Sequence, residues 1–370
     1  MAPSTDQLLL SGVRILDLSR VLAGPLCTMI LGDLGADVIK VERPGAGDDT
    51  RGWGPPFDAS GRSAYYLSIN RNKLGIAADL DSVDDRQVIE ALLGEADVVV
   101  DNFRPGTLER RGLSPDRWCA GRPDLIWCTI TGFGLSSDRP GYDFVAQAEC
   151  GWMAITGEPS GDPMKAGVAL ADILAGKDAV IAVLGALIRK ERTGVGGRFS
   201  VSLADSARAA LVNVAQNALV SGRDARRWGN AHPNLVPYEM FHAADRGIVI
   251  AVGSDAQWLA CCRALGLDEL ADDATLATNT ARLAQRTRIV RAMTERVAER
   301  PAAYWAERLA RAGVPNGLVQ TVLEALRDTG ASPVTGIPPS VPGTIRFEPP
   351  NLDEHGSQIR SKGWGAFRGL

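Results

Sequence analysis

The residue best placed to do chemistry is Asp172, the single carboxylate in the otherwise apolar run Gly167–Gly176. A carboxylate with apolar neighbours is poorly solvated, so the protein must hydrogen-bond it, protonate it or use it. It could transfer a proton, or it could attack an activated acyl group as a nucleophile. The structural alternative is a helix N-cap, because Asp is a favoured cap and a helical pattern follows as far as Leu187. The run alone leaves both interpretations open.

Length and composition set the frame for this residue. The chain has 370 residues, of which 45% are hydrophobic, which predicts two domains or one large domain with a lobe. The net charge of −4 argues against general nucleic-acid binding, although a local basic pocket stays possible. The longest apolar stretch, Ala166–Ile188, contains Asp172, Lys177 and Asp178, so no membrane span is predicted.

The cysteines and histidines exclude other classes of protein. Six cysteines without a Cys-x-x-Cys pair are typical of reduced thiols in a cytosolic protein. Three histidines argue against a His-rich metal site, and we expect no metal. Residues 1–7 are polar and have no basic or apolar region of a targeting peptide. The predicted location is cytoplasmic.

Strand and helix patterns alternate through the first part of the chain. We predict strands at Val13–Leu18, Asp37–Val41, Asp97–Val100 and Leu125–Ile130, and helices at Pro25–Leu34 and Asp84–Leu93. A long helix after Ala175, a strand at Phe199–Leu203 and a helix at Asp205–Leu219 follow. Because several strands are apolar without alternation, they fit a parallel sheet covered on both faces. The sequence thus predicts an α/β fold, with an open Rossmann-like parallel sheet in a large domain over residues 1–220.

The composition changes at residues 221–237, a polar segment rich in Arg, Gly and Pro that we interpret as a linker or substrate loop. A smaller α+β domain is predicted over residues 238–325. Its elements are a strand at Ile248–Val252 and helices at Asp255–Leu265, Ala281–Glu299 and Ala302–Ala312. Residues 326–370 begin with a mostly irregular part rich in Pro, Gly and Ser. We expect this segment to return to the large domain.

The first βαβ unit invites a dinucleotide-binding interpretation, since Glu42 lies about 20 residues past the first turn. However, the turn Arg20–Pro25 has one glycine where the dinucleotide fingerprint needs three, so NAD is disfavoured.

Basic residues follow or flank several strands: Lys40, Arg43, Arg71, Lys73, Arg104 and Arg110. Ligands of open α/β sheets collect beyond the carboxyl ends of the strands, where guanidinium groups could hold phosphates. The alternative is an ordinary solvated rim. Two Gly- and Pro-rich segments precede Asp172: the turn Arg139–Phe144, which presents Tyr142 and Asp143, and the loop Gly157–Pro163. Each could equally be a plain surface connection.

Taken together, these segments resemble the class III CoA-transferase family of CaiB/BaiF type, which also contains the α-methylacyl-CoA racemases. The matching segments are Leu10–Ser19, Ala23–Pro25, Leu34–Glu42, Asn102–Gly106, Arg139–Phe144, Gly157–Pro159, Gly167–Gly176, Arg192–Gly194, Asn230–Asn234 and Val236–Tyr238. The resemblance implies that Asp172 attacks an acyl-CoA thioester to give an acyl anhydride and then an aspartyl-CoA thioester. It also implies interlocked homodimers, and CoA and acyl-CoA as substrates rather than a permanently bound cofactor.

The resemblance further implies a set of CoA contacts, namely Leu22, Ala23, Arg43, Leu80, Asn102, Phe103, Arg104, Arg110 and Tyr142, with Asp81 beside Leu80. Within it, Leu22 and Ala23 present their backbone, Arg43 and Arg110 contact the nucleotide and its phosphates, and Tyr142 lies beside the thioester end. The other substrate is a small carboxylic acid. No nucleic acid or membrane partner is implied.

Two rival functions stay open at this point. The racemases of the family share the same segments but have His where this chain has Tyr142. Tyr is a poor replacement for a His base at neutral pH, so the racemase is the less favoured of the two activities. A CoA-binding paralogue without turnover is the second rival. Within the transferases, the segment 230–238 resembles branches that use succinyl-CoA or related dicarboxylic acyl-CoAs. His232, Arg226 and Arg227 could lie near the acceptor carboxylate, or simply in an exposed linker.

Overall fold

The computed structural model describes residues 8–368, so the predictions for the first seven residues lie outside the described part. Within it, one sheet has six parallel strands in the order β3-β2-β1-β4-β5-β6. The strands are β1 Arg14–Asp17, β2 Asp37–Glu42, β3 Lys73–Ala77, β4 Val98–Asp101, β5 Ile126–Thr131 and β6 Gly197–Ser202. This is the order of a doubly wound Rossmann-like sheet, in which ligands bind beyond the carboxyl ends of the strands where the order reverses, here between β1 and β4. The predicted α/β class with a parallel sheet is confirmed.

Helices cover both faces of this sheet. The helices of residues 23–221 are α1 Ala23–Asp33, α2 Ala64–Leu67, α3 Val83–Glu95, α4 Thr107–Arg110, α5 Pro115–Gly121, α6 Asp143–Glu149, α7 Trp152–Ile155, α8 Leu170–Thr193, α9 Leu203–Ala209 and α10 Val212–Ser221. Alternate residues of β1 bury against different helices: Ile15 joins the core with α1 and α8, and Leu16 joins the core with α3. Burial on both faces explains why the strands are apolar without alternation.

A second, small sheet is antiparallel, with the order β7-β8-β9. Its strands are β7 Tyr238–His242, β8 Gly247–Ala251 and β9 Asn316–Leu318. The helices around it are α11 Asp255–Leu265, α12 Asp268–Ala271, α13 Asn279–Ala284, α14 Arg286–Val297, α15 Ala302–Arg311 and α16 Val322–Ala325, and the chain continues to α17 Gly356–Lys362. Trp258 and Trp305 are buried in the core between this sheet and its helices.

The chain divides into two compact units. Unit 1 holds the chain up to Met153, Lys165–Arg223 and the chain from Leu326 on, and unit 2 holds Ala154–Met164 and Asp224–Ala325. The segment Ala154–Met164 belongs to unit 2, whereas the sequence placed it within the large domain. The contacts explain this assignment, because Gly229 N–H donates to Gly157 O at 3.1 Å and Arg227 donates to Glu158 O and Gly161 O.

Several predicted element boundaries were wrong. The predicted helix Asp205–Leu219 is two helices, because the chain turns at residues 210–211 and Val212 has a positive φ of 40°. The predicted helix Ala281–Glu299 breaks at Gln285, whose φ of −111° and ψ of 19° are not helical. The predicted strand Phe199–Leu203 ends at Ser202, whose hydroxyl accepts from Asp205 N–H and caps α9. The long helix begins at Leu170 rather than after Ala175.

Three of the basic residues assigned to strand ends lie in the interior instead. Lys40 pairs with Asp48 at 3.0 Å, Lys73 pairs with Asp17 at 2.9 Å, and Arg71 pairs with Asp33 at 2.7 Å. All three cations are buried, so neither the phosphate-binding nor the solvated-rim interpretation holds for them. Arg71 also donates to the carbonyls of Thr335 and Ile337, which fastens the irregular segment after residue 326 to unit 1.

Two findings bear on the predicted environment of the protein. No helix within residues 8–368 is long and apolar enough to cross a membrane. All six cysteines are free thiols, and burial raises the pKa of Cys27 and Cys128, which leaves them unreactive core residues.

Candidate active site

Asp172 does not cap its helix. It is the third residue of α8, and the cap position belongs to Ala169, which has no side chain able to cap. Asp143, the first residue of α6, replaces the missing cap: its Oδ1 accepts from the N–H of Ala171 at 2.8 Å and of Asp172 at 3.4 Å. The cap interpretation of Asp172 was therefore wrong. Within residues 8–368 no donor forms a hydrogen bond with the Asp172 carboxylate, so this group is available as a base or a nucleophile.

Gln147, one turn further along α6, completes the support of the α8 start. Its amide donates to Asp143 Oδ2 at 2.7 Å and to Val168 O at 3.2 Å, and its carbonyl accepts from Ala166 N–H at 2.8 Å. Gln147 is fully buried. The segment that leads into Asp172 is thus held by side chains of α6, so the position of Asp172 is fixed from outside its own helix.

The electrostatics of Asp172 are unusual for a carboxyl group. Burial, and secondly the charge of Asp143, raise the pKa of Asp172 from its ordinary 3.8 to about 7. A carboxylate that is poorly solvated and not hydrogen-bonded is a stronger base and nucleophile than one in water. Near neutral pH the group is ionised in about half of the molecules, so it could transfer a proton or attack an acyl carbon.

The turn before α6 is placed by two glycines. An ideal Cβ on Gly141 would lie 2.3 Å from the Cα of Gly132, and the reverse contact is equally close. The end of β5 and the turn Arg139–Phe144 therefore meet backbone to backbone, which only glycine permits. This contact holds Tyr142, which is exposed, beside the cavity that Asp172 lines.

Asp172 lines a cavity of about 180 Å³, called here the Asp172 cavity. Its walls come from the chain after β1, β4 and β5 and from the start of α1 and α8. Seven of the predicted site residues line it: Leu22, Ala23, Asn102, Phe103, Arg104, Tyr142 and Asp172 itself. The cavity lies at the carboxyl ends of the strands, as expected for an open α/β sheet.

The N-terminus of α1 forms part of this wall. Among the residues that the structure describes, no acceptor pairs with the backbone N–H of Leu22, Ala23 or Gly24, and Ala23 and Gly24 are buried. Free N–H groups and the helix dipole favour negative charge at such an end. The helix α8 packs closely against this end of α1, because Gly176 of α8 has no side chain. A Cβ added to Gly176 would lie 2.7 Å from Ala23 O.

A larger cavity of about 630 Å³ adjoins the first, and both share Arg20, Phe103 and Arg104. The predicted residues Arg43, Leu80 and Asp81 line it as well. Its charges are mixed. Arg43 pairs with Asp49, and Arg111 holds Asp81 with two hydrogen bonds of 2.9 and 3.0 Å. Arg104 is exposed and forms no ion pair within the described residues, so its guanidinium is available to a ligand anion.

Some predicted residues lie elsewhere. Arg110 lines neither cavity; its guanidinium contacts Thr107 at 3.3 Å, and the neighbouring Arg111 lines the larger cavity instead. His232, Arg226 and Arg227 belong to unit 2. His232 packs against Tyr238, and burial together with a nearby arginine lowers the pKa of its imidazole.

The roles of Asp143 and Asp48 were not predicted. Asp143 was expected only as part of a turn, because nothing in a single sequence indicates that an aspartate caps a helix 29 residues away. Asp48 lies in a short loop without periodicity, and Val21, whose N–H donates to it, is 27 positions away. Neither aspartate belongs to a metal site: within residues 8–368, no cluster of His, Cys, Asp or Glu side chains is arranged to hold a metal ion.

Comparison with known proteins identifies the family. The model of CoA-transferase family III matches residues 10–337. The succinyl-CoA:glutarate CoA-transferase of Mus musculus is 43% identical over 322 residues, which cover 86% of this chain and 74% of the relative. The succinate–glutarate CoA-transferase of Agrobacterium fabrum is 46% identical over 288 residues, 76% of this chain and 72% of the relative.

A solved structure gives the same result. The crystal structure of a CaiB/BaiF family protein from Brucella suis is 41% identical, with a TM-score of 0.85 over 96% of this chain and 99% of that chain. The protein therefore belongs to CoA-transferase family III, and the predicted resemblance is confirmed. It is an enzyme of the CoA-transferase class.

Proposed function

We propose that this protein transfers CoA from succinyl-CoA to a dicarboxylic acid of about the size of glutarate, with Asp172 as the covalent carrier of the acyl and CoA groups. The observation that carries the proposal is the free, poorly solvated carboxylate of Asp172 in a cavity that adjoins a larger one with exposed arginines. The substrates are taken from the names of the two similar relatives.

The chemistry needs two exchanges at Asp172. A carboxylate oxygen of Asp172 attacks the thioester carbonyl of succinyl-CoA; the C–S bond breaks, and CoA leaves as the thiolate with the electron pair. The thiolate then attacks the Asp172 carbonyl of the mixed anhydride and releases succinate, which leaves an aspartyl-CoA thioester. The acceptor carboxylate repeats the sequence in reverse, and Asp172 is regenerated. No net proton is gained or lost, and exclusion of water protects the anhydrides.

The start of α1 suits the charge that develops in these steps. Each attack turns a carbonyl oxygen into an oxyanion. Leu22 and Ala23, whose backbone N–H groups have no partner within the described residues, line the same cavity as Asp172. Preorganised donors of this kind stabilise a tetrahedral intermediate more than the ground state. We assign the oxyanion to this end of α1.

The larger cavity suits the nucleotide part of CoA. Leu80 and Phe103 offer apolar surface there, and Arg43 and Arg104 offer guanidinium groups to phosphates. Phe103 and Arg104 line both cavities, so they suit the chain that connects the nucleotide with the thioester, and Asn102 lines the Asp172 cavity beside them. Arg110 lies outside both walls and contacts a phosphate only if its exposed side chain changes conformation.

We propose that the working protein is a homodimer. Unit 1 exposes large apolar side chains on α8 and α10, with exposed fractions of 67% for Ile181, 79% for Leu219 and 78% for Val220. None of the side chains of α10 is buried. Apolar surface on neighbouring helices is typical of an interface between subunits. Light scattering at micromolar concentration tests this proposal, because a monomer would contradict it.

The free cysteines support a cytoplasmic location.

The assay of the proposed function uses succinyl-CoA, a set of mono- and dicarboxylic acids and deuterated buffer, with the acyl-CoA products read by mass. We expect a new dicarboxylic acyl-CoA without deuterium at its α carbon. Deuterium in an acyl-CoA without exchange of the acyl group would indicate racemase chemistry, and binding of CoA without either product would indicate the non-catalytic paralogue.

A matched pair of variants assigns the chemistry to Asp172. Asp172→Asn should abolish transfer while CoA still binds. Asp178→Asn is the control, because Asp178 lies on the same helix, bonds to Ser206 and lines neither cavity. Transfer that persists in Asp172→Asn, or that disappears equally in both variants, would refute the assignment.

A further inference from the structure

The turn between β1 and α1 contains a strained residue. Val21 has a positive φ of 69°. In this region the Cβ of a β-branched side chain collides with its own backbone, so the conformation persists only if the surroundings impose it. Val21 lines the Asp172 cavity and directly precedes Leu22, whose N–H belongs to the free end of α1.

Two side chains impose this conformation. Asp48 accepts from Val21 N–H, with both carboxylate oxygens 3.3 Å from the nitrogen. On the preceding residue, the amide of Asn102 accepts from Arg20 N–H at 2.9 Å and donates to Arg20 O at 2.7 Å. The backbone of residues 20 and 21 is thus held on both sides, and the next donors along the chain are the unpaired N–H groups of Leu22 and Ala23, two residues that line the Asp172 cavity.

Asp48 is itself fixed from the interior. Its carboxylate is 1% exposed, accepts from the N–H and hydroxyl of Thr50, and pairs with Lys40 at 3.0 Å. Lys40 also donates to Ser19 O at 2.9 Å, so the lysine ties the carboxylate to the same turn. Burial alone would raise the pKa of Asp48, but Lys40 and Thr50 outweigh it and hold the pKa below its usual range. The carboxylate therefore stays an acceptor at all working pH values.

We propose that Asp48 is a positioning residue of the transfer reaction: it holds Val21 in the left-handed conformation and thereby directs the free N–H groups of Leu22 and Ala23 toward the carbonyl oxygen under attack. Asp48 touches no reacting atom. The proposal rests on the transferase function, and it assigns to a buried loop residue the orientation of the donors at the start of α1.

Removing Asp48 alone would leave Lys40 buried without a partner, which could unfold the protein. The test therefore compares two double variants that lack both charges. Lys40→Met/Asp48→Asn keeps an oxygen acceptor for Val21 N–H, whereas Lys40→Met/Asp48→Ala has none. Both lose the bond to Ser19 O equally. They differ in the acceptor for Val21 N–H and in the acceptor for the N–H and hydroxyl of Thr50, and substitution of Val21 separates these two effects.

We expect the double variant without an acceptor, Lys40→Met/Asp48→Ala, to lose about 100-fold in kcat, the usual effect of donors misplaced by about 1 Å. Its KM for succinyl-CoA should change by less than about threefold, because the lost interaction is made in the transition state. Lys40→Met/Asp48→Asn should retain kcat within about fivefold of wild type. Equal kcat values in the two variants would overturn the proposal.

A third substitution tests the route through the backbone. Glycine adopts a positive φ without strain, so Val21→Gly in the Lys40→Met/Asp48→Ala background should recover about tenfold in kcat. No recovery would contradict a role through Val21.

Crystal structures of the two double variants supply a readout that does not depend on activity. Val21 should keep its positive φ with Asp48→Asn and lose it with Asp48→Ala; an unchanged φ in both would refute the positioning role. If the wild-type protein transfers no CoA, the proposed function fails separately, and these φ values still decide what Asp48 does.

Discussion

Substitution of Asp143 by Asn should move the pH dependence of the enzyme in a defined direction. The amide that Asp143→Asn introduces lacks the charge but keeps an oxygen that can accept from the N–H groups of Ala171 and Asp172. The start of α8 should therefore stay capped, while the repulsion that Asp143 exerts on Asp172 disappears. Because a like charge raises the pKa of a carboxyl group, its removal should lower the pKa of Asp172.

The size of the effect follows from the two causes of the raised pKa. The pKa of Asp172 stands at about 7 against an ordinary 3.8, and burial is the larger cause, with Asp143 second. Asp143 thus accounts for less than half of the rise, about one pKa unit or ~1.4 kcal/mol.

The assay is the pH dependence of kcat/KM for succinyl-CoA, which reports the free enzyme. Asp172 must be ionised to attack, so activity should rise with pH through about 7 in the wild type and through about 6 in Asp143→Asn. At about pH 6 the ionised fraction grows from about a tenth to about half, a gain of roughly fivefold relative to each plateau. Asp178→Asn, on the same helix but without influence on this pKa, should leave the profile unchanged. An acid limb that does not move in Asp143→Asn, or that moves upward, would refute the reasoning.

Three further predictions concern CoA binding, stability and packing. If Arg43 holds the 3′-phosphate, Arg43→Ala should weaken the binding of CoA by about tenfold and the binding of dephospho-CoA much less. Isothermal titration with both ligands measures the two affinities, and an equal loss of affinity for both would exclude that role. Asp172→Asn should raise the free energy of unfolding by about 2–4 kcal/mol at about pH 8 and by only about half a kcal/mol at about pH 4, because the fold penalises only the ionised carboxyl. Urea unfolding at both pH values measures this gain, and a gain independent of pH would contradict the pKa assignment. Gly176→Ala should lower the free energy of unfolding by about 2 kcal/mol, because the new Cβ would lie 2.7 Å from Ala23 O. Gly185→Ala on the same helix places its Cβ in open space and should be neutral or stabilising. Thermal unfolding compares the two variants, and equal effects would show that α1 and α8 are not closely packed.

Much of the large sheet could be predicted because its signals are local. The apolar runs at Val98–Asp101 and Ile126–Thr131 are long enough to be recognised as buried strands. The strand β3 and the strand order were not predicted, because they depend on pairing between strands that are distant in sequence. Asp172 was also found locally, since a lone carboxylate among apolar residues is conspicuous. That its carboxylate is free of hydrogen bonds was not predictable, because Asp143, which caps α8 in its place, belongs to another helix.

The misplaced elements failed for physical reasons of the same kind. Lys40 and Lys73 resemble surface charges in the sequence, and their burial is possible only because the fold pairs them with Asp48 and Asp17. The breaks near Val212 and Gln285 carry no proline or glycine, so helix propensity gave no warning. Contacts between distant residues decide these features, and a single sequence does not contain them in readable form.

The covalent role of Asp172 is tested most directly by labelling. The enzyme is incubated with succinyl-CoA and an acceptor dicarboxylate whose carboxyl oxygens are the heavy isotope oxygen-18. The protein is then digested, and the mass of the peptide that contains Asp172 is measured by mass spectrometry. Attack of the acceptor on an aspartyl-CoA thioester leaves one acceptor oxygen on Asp172, so the peptide should gain heavy oxygen only when succinyl-CoA is present. Sustained CoA transfer without heavy oxygen on Asp172 would contradict the account.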